Sequence, residues 1–232
     1  MPRPIVLCLP PAGAGPSLFQ PWLDSSPEPE FRAVDLPGKE RLFAEPLPHS
    51  VPQLVEAIRP ALETAAGEAD VLGLFGHCFG ALVAYEAAQV LVRDGYVGGL
   101  VLFASGANPP GRFNAAPVTG LPDEEFIAGV RRIADYRHTA LDDPELRELL
   151  LPALRADVAA HESYAPQWSA PLAHPIVAIR GTHDTLVPRD ASLAWRELTS
   201  ARFDLAEFPG RHMYLDDSWE HLIALMEKEI QL

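Results

Sequence analysis

The chain of 232 residues is predicted to be an α/β protein, with a mostly parallel central sheet, helices on both faces and a helical insertion late in the chain. Three observations predict it. Short apolar runs alternate with longer helix-forming segments through the first half of the chain. One run, Val71 to Phe75, passes through Gly76-His77-Cys78-Phe79-Gly80 into the helix-forming stretch Ala81 to Val92. That is the strand, sharp turn and helix of a G-x-nucleophile-x-G elbow. Finally, the alternation stops between Leu121 and Tyr164, where consecutive helices are expected, and then resumes.

The elements follow in order. Pro4 to Leu9 reads as a short buried strand ending in Pro10-Pro11-Ala12-Gly13-Ala14-Gly15-Pro16-Ser17, a tight loop of small residues. Phe31 to Val34 is a second strand, followed by a loop through Leu42. Ser50 to Ala66 reads as a helix: Val51, Leu54, Val55, Ile58 and Leu62 recur at helical spacing after a serine able to cap it. Pro52 falls in the tolerated first turn, and Pro60 predicts a kink. The helix after the elbow is apolar nearly all round and should be deeply covered. Gly98 to Ser105 is the next strand. Helices are then expected over Asp123 to Ile133, Pro144 to Leu150 and Ala153 to Tyr164, the second with proline near its first position. This insertion, at about residues 112–170, reads as a lid over a site, within a single domain spanning 1–232. Strands Ile176 to Arg180 and Arg202 to Phe208 follow, with helices Arg189 to Leu198 and Asp217 to Gln231.

Composition narrows the function. A net charge of −14 argues against nucleic acid or an anionic membrane as partner. No apolar run approaches the length of a membrane span and no signal-peptide pattern is seen, so a soluble cytoplasmic protein, with a monomer favoured, is expected. The two cysteines, Cys8 and Cys78, make no disulfide framework, and Cys8 reads as a small core residue. No H-x-x-x-H or C-x-x-C spacing suggests a metal, and the chemistry needs no cofactor.

In the elbow, Cys78 is forced into a strained backbone conformation. Gly76 and Gly80 remove the side chains that would collide where strand and helix cross. A sulfur nucleophile needs a base, and the base needs an orienting partner. Asp184 and His212 each follow a predicted strand, so both fall with Cys78 at the C-terminal edge of a parallel sheet. The order nucleophile, acid, histidine is that of the α/β-hydrolases. The backbone N–H groups of Ala12 and Phe79 are the candidate oxyanion donors. His77 should lie beneath the elbow, hydrogen-bonded away from the reacting group. His183 is the rival to His212. His49, His138, His161, His174 and His221 read as surface or lid residues.

Further motifs point to a family. Leu9-Pro10-Pro11-Ala12-Gly13-Ala14-Gly15 is similar to L-P-x-A-G-G, Leu36-Pro37-Gly38-Lys39-Glu40-Arg41 to P-G-R-x-x-R, and Gly76-His77-Cys78-Phe79-Gly80-Ala81 to G-H-S-[MF]-G-A. With Leu121-Pro122-Asp123-Glu124-Glu125-Phe126, Asp142 to Leu146, Leu150 to Asp157, Gly181-Thr182-His183-Asp184 and Phe208-Pro209-Gly210-Arg211-His212, the chain resembles the type II thioesterases, stand-alone editing hydrolases of polyketide and nonribosomal peptide synthesis. The resemblance implies an α/β-hydrolase fold with Cys78 in the serine position, His212 as base, Asp184 as its orienter, and Ala12 and Phe79 in the oxyanion places. It implies as substrate an acyl thioester on the phosphopantetheine arm of an acyl or peptidyl carrier protein, with the lid shaping the acyl chamber. Two accounts of Cys78 stand side by side: a natural nucleophile giving a thioester acyl-enzyme, or an introduced Ser→Cys change. The thiol proton passes to His212, or the two rest as an ion pair because the helix terminus favours the thiolate. Carrier proteins are typically acidic, so docking on this acidic chain calls for a local basic patch, with Arg131, Arg132 and Arg137 or Arg93 as candidates. Alternative readings are an acyltransferase or release enzyme with an amine acceptor, a lactone or carboxylic-ester hydrolase, and a carrier-binding module with weakened catalysis.

Overall fold

The structure, a computed structural model, describes residues 3–25, 28–112, 116–134, 139–168 and 170–231. Six parallel strands form one sheet in the order β2-β1-β3-β4-β5-β6. They are β1 (Pro4–Leu9), β2 (Glu30–Ala33), β3 (Val71–His77), β4 (Gly99–Ser105), β5 (Ile176–Gly181) and β6 (Phe203–Phe208). Strand residues alternate between two cores. Ile5, Leu7, Leu9, Leu72 and Leu74 face one, and Val6, Cys8, Phe75 and Phe103 face the other. Burial on both sides explains why these strands read as continuous apolar runs.

The helices α2 (Val51–Glu68) and α3 (Phe79–Arg93) cover the first face. The short α1 (Gln20–Leu23) and the C-terminal α7 (Leu215–Ile230) cover the other, through Trp22, Leu222, Met226 and Ile230. Ser50 caps α2 by accepting the Gln53 N–H, and α2 continues without a break through Pro60, where a kink was expected. Every residue of α3 from Phe79 to Leu91 is buried, as its all-round apolar sequence requires.

Between β4 and β5 the chain builds α4 (Asp123–Ala134) and α5 (Pro144–Ser163). They share a small core of their own, made by Val118, Phe126, Ile127, Leu141, Leu151 and Leu154. Asp143 caps α5, accepting the N–H groups of Glu145 and Leu146. Two helices were expected over Pro144 to Leu150 and Ala153 to Tyr164, but α5 is one. Pro152 costs it a single hydrogen bond on the exposed side, while buried Leu151, Ala153 and Leu154 hold the two halves in line. Two other boundaries differ from expectation. The segment Arg189 to Leu198 is a short α6 (Arg189–Leu193) that tightens into a 3-10 turn, and a helical stretch from Pro16 to Leu23 takes up Pro16 and Ser17, the end of the expected loop. Behind α5, buried Glu86 of α3 accepts from Tyr164 Oη at 2.6 Å and Trp168 Nε1 at 2.7 Å, which ties the end of the insertion to the body. Among the described residues no helix is long and apolar enough to cross a membrane.

Candidate active site

The first and third strands end side by side where the chain order of the sheet reverses, β2-β1 on one side and β3-β4 on the other. That crevice is the usual ligand site of an open parallel sheet. The elbow fills it. Cys78 has φ +54° and ψ −117°, a conformation only strong local constraint sustains in a residue with a side chain. Its N–H is anchored to Ser105 O at 2.8 Å, and its carbonyl accepts the Ala81 N–H at 3.1 Å. A Cβ on Gly76 would overlap the Gly80 carbonyl, and one on Gly80 would overlap the Leu9 carbonyl. Strand and helix therefore cross at backbone contact, and the Cys78 side chain is left partly exposed above them.

His212 and Asp184 reach this point from the ends of β6 and β5. The two loops are stitched together: Thr182 N–H donates to Phe208 O and His183 N–H to Gly210 O, each at 2.8 Å. Asp184 is buried, and its Oδ1 accepts the N–H groups of Leu186 (2.9 Å) and Val187 (3.1 Å). Its Oδ2 accepts from His212 Nδ1 at 2.9 Å. His212 Nε2 is buried without a hydrogen-bond partner among the described residues, and His212 lines the same cavity as Cys78 and Ala12. Burial alone would lower the imidazole pKa. The nearby Cys78 sulfur and the bond to Asp184 outweigh it, and the ring is pushed up to about 10. His183 does not compete, being exposed and beside Thr182 Oγ1 at 3.3 Å.

Phe79 opens α3 directly after Cys78, and Ala12 sits in the loop after β1. Neither backbone N–H donates a hydrogen bond among the described residues. The loop is held from the insertion: Gly13 N–H donates to Asp157 Oδ2 at 2.8 Å, and Asp157 pairs with Lys39 at 2.7 Å, both side chains buried. Burial pushes the Asp157 carboxyl up, against the pull of Lys39. Beneath the elbow, His77 Nδ1 meets Ser105 Oγ at 2.9 Å, and Ser105 Oγ meets Tyr214 Oη at 2.5 Å. Burial, with the neighbouring charge of His212, holds His77 well below the usual histidine range.

The cavity holds about 170 Å³ and runs from Cys78 into the insertion. Its far wall is Val130, Ile133, Leu141, Leu150, Leu154 and Val158. His161, expected among the surface or lid residues, faces this cavity from α5. Lys39, Asp157 and Glu86 were not singled out as partners of anything. The repeat of Leu150, Leu154, Val158 and His161 at four, four and three residues was the available signal for a shared helix face. Of the basic residues expected to form a patch, Arg93 is paired with Asp94 and Arg131 with Asp142, Arg132 is exposed, and Arg137 lies outside the described residues, as does His138. Among the described residues no group of three or more His, Cys, Asp or Glu could hold a metal ion.

A six-stranded parallel sheet, an elbow after its third strand and a buried Asp–His pair on the last two strand ends define an α/β-hydrolase. The chain belongs to the thioesterase domain family, which matches residues 4–230. The thioesterase PikA5 of Streptomyces venezuelae is 36% identical over 218 residues, covering 94% of this chain and 77% of its own. The gramicidin S biosynthesis protein GrsT of Aneurinibacillus migulanus is 33% identical over 230 residues, covering 98% and 89%. The type II thioesterase BorB from the borrelidin biosynthetic cluster superposes with a TM-score of 0.82 at 28% identity, over 99% of this chain and 92% of its own.

Proposed function

We propose that the protein hydrolyses acyl thioesters carried on the phosphopantetheine arm of polyketide or peptide carrier proteins, through an acyl group held on Cys78. The observation that supports it most is the strained Cys78 elbow opening onto the same apolar chamber as His212, whose other nitrogen is held by Asp184.

Cys78 Sγ attacks the thioester carbonyl carbon, its proton having passed to His212. The Ala12 and Phe79 amides receive the oxyanion, an effect worth about 3 kcal/mol per donor. The carbon–sulfur bond to pantetheine breaks, and the leaving thiolate takes the proton from His212. Water then adds to the acyl-Cys78 carbonyl and gives a proton to the same imidazole. Collapse breaks the bond to Cys78 Sγ, releases the carboxylic acid and restores the thiol. Between β4 and β5, α4 and α5 act as a lid whose apolar wall holds the acyl chain, within a single catalytic domain.

The test is steady-state hydrolysis of an acyl-carrier thioester, the matching acyl-pantetheine and a lactone of the same acid, by the protein and by Cys78→Ala. Turnover of both thioesters, abolished by Cys78→Ala, supports the reading. Turnover of the lactone alone contradicts it. Product masses with an added amine separate hydrolysis from acyl transfer.

A further inference from the structure

We infer that Ser105 and Tyr214 are positioning residues for the reaction, and that the bond between their hydroxyls holds the loop of His212 in register with the Cys78 elbow. The inference rests on the thioesterase reading above and adds to its machinery two buried residues outside the lining of the substrate cavity.

Ser105 ends β4, opposite His77 on β3 and Ile179 on β5. It therefore stands between the strand that carries the nucleophile and the strand that leads to Asp184. Its two oxygens serve two loops. The carbonyl accepts the Cys78 N–H at 2.8 Å and so anchors the strained residue of the elbow. The hydroxyl lies 2.5 Å from Tyr214 Oη and 2.9 Å from His77 Nδ1. Tyr214 is two residues past His212 in the chain.

Tyr214 has little freedom of its own. Its ring stacks on Phe208, with centroids 6.4 Å apart, and meets His77 edge-on at 5.5 Å. The loop of His212 is fastened at its start, where the Phe208 and Gly210 carbonyls accept the Thr182 and His183 N–H groups. Tyr214 fastens its far end, and His212 lies between the two. The His77 ring also packs against the His212 ring, with centroids 5.1 Å apart. Burial pushes the Tyr214 phenol up and His77 down, so both are uncharged. Phenol, serine hydroxyl and neutral imidazole can each donate and accept, so the chain of three is satisfied without a charge. Loss of the Ser105–Tyr214 bond frees the end of the loop, and a misplacement of about 1 Å at a catalytic group can cost ~10²-fold in rate. Cys78, Asp184, His77 and His161 are the titratable groups that act on His212 or are acted on by it, and the substitutions below alter none of them.

The experiment uses Tyr214→Phe, which keeps the ring and removes the hydroxyl, with Ser105→Ala, the double variant, and His212→Ala as reference. Alkylation of Cys78 by iodoacetamide, located by peptide mapping, is followed as a function of pH, and needs no thioester. kcat and KM for an acyl-pantetheine are measured on the same proteins. Tyr214→Phe should lower kcat about 10- to 100-fold with little change in KM. Its alkylation profile should move toward that of His212→Ala. In the Ser105→Ala background Tyr214→Phe should add nothing further, because the two act through one bond. Variants that lose stability but keep the parent's alkylation profile, or losses in kcat that simply add in the double variant, would overturn the inference. No thioester turnover by the parent would instead overturn the thioesterase reading, and the alkylation profiles would still decide this one. Identical profiles for the parent and His212→Ala would overturn both.

Discussion

At the scale of single residues the site is a set of environments that push like groups apart. Three histidines lie around the Cys78 elbow, and each is set differently. His212 is pushed up to about 10 by Cys78 and Asp184 against its own burial, while burial holds His77 and His161 down. Asp184 earns its place by accepting three hydrogen bonds. Asp184→Asn should leave the fold in place but lower kcat by ~10²–10⁴-fold, the usual share of general acid–base catalysis, in a steady-state assay. His161 also leaves a mark on stability. Its folded value is about 4, against ~6.5 in an unfolded chain. Between those values the unfolded chain binds more protons, so this contribution to stability is lost as pH falls through the window. Urea denaturation of His161→Leu should therefore show a smaller loss between pH ~7 and ~4.5 than the parent protein shows. Cys78, Asp184 and His212 were legible in the sequence because the motif order and the strand ends place them together. His161 was not, because its spacing with Leu150, Leu154 and Val158 marks a shared face of α5 but not which way that face looks until its neighbours are packed.

At the scale of elements, α5 does more than cover the site. Asp157 on it holds Lys39 and the Gly13 amide, and Leu154 packs against Gly13, so the helix braces the loop that carries Ala12. Lys39→Met would leave a buried carboxylate unpaired and should destabilise the protein by about 3–5 kcal/mol. The double change Lys39→Met with Asp157→Leu should recover much of that stability, because a buried ion pair replaced by apolar groups is often neutral. It should not recover kcat, because the Gly13 amide has lost its acceptor and the neighbouring Ala12 amide its fixed aim. Denaturation midpoints and kcat measured on the same two variants check both halves. The strands, α2, α3 and the elbow could be read from periodicity and glycine spacing. The continuity of α5 could not, since Pro152 argues locally for a break and only the packing of Leu151 and Leu154 overrides it.

For the whole molecule, charge is the dominant feature. The chain carries −14, and Arg93 and Arg131, two of the four arginines expected to form a basic patch, are paired with carboxylates of the chain itself. An acidic carrier approaching it meets net repulsion at long range. Raising salt from ~50 to ~300 mM should therefore raise kcat/KM for a carrier-bound acyl thioester, since the Debye length shrinks over that range. The free acyl-pantetheine, which lacks the carrier's charge, should respond little. A fall with salt for the carrier substrate would reveal a local basic patch instead.

The proposed mechanism turns on a covalent acyl group on Cys78. It is tested most directly by intact-protein mass spectrometry after brief mixing with an acyl-pantetheine thioester, followed by peptide mapping. A mass gain equal to one acyl group is expected, mapped to Cys78, absent from Cys78→Ala and longer-lived in His212→Ala if any forms there. Turnover without any adduct on rapid quenching, or an adduct that persists in Cys78→Ala, would contradict it.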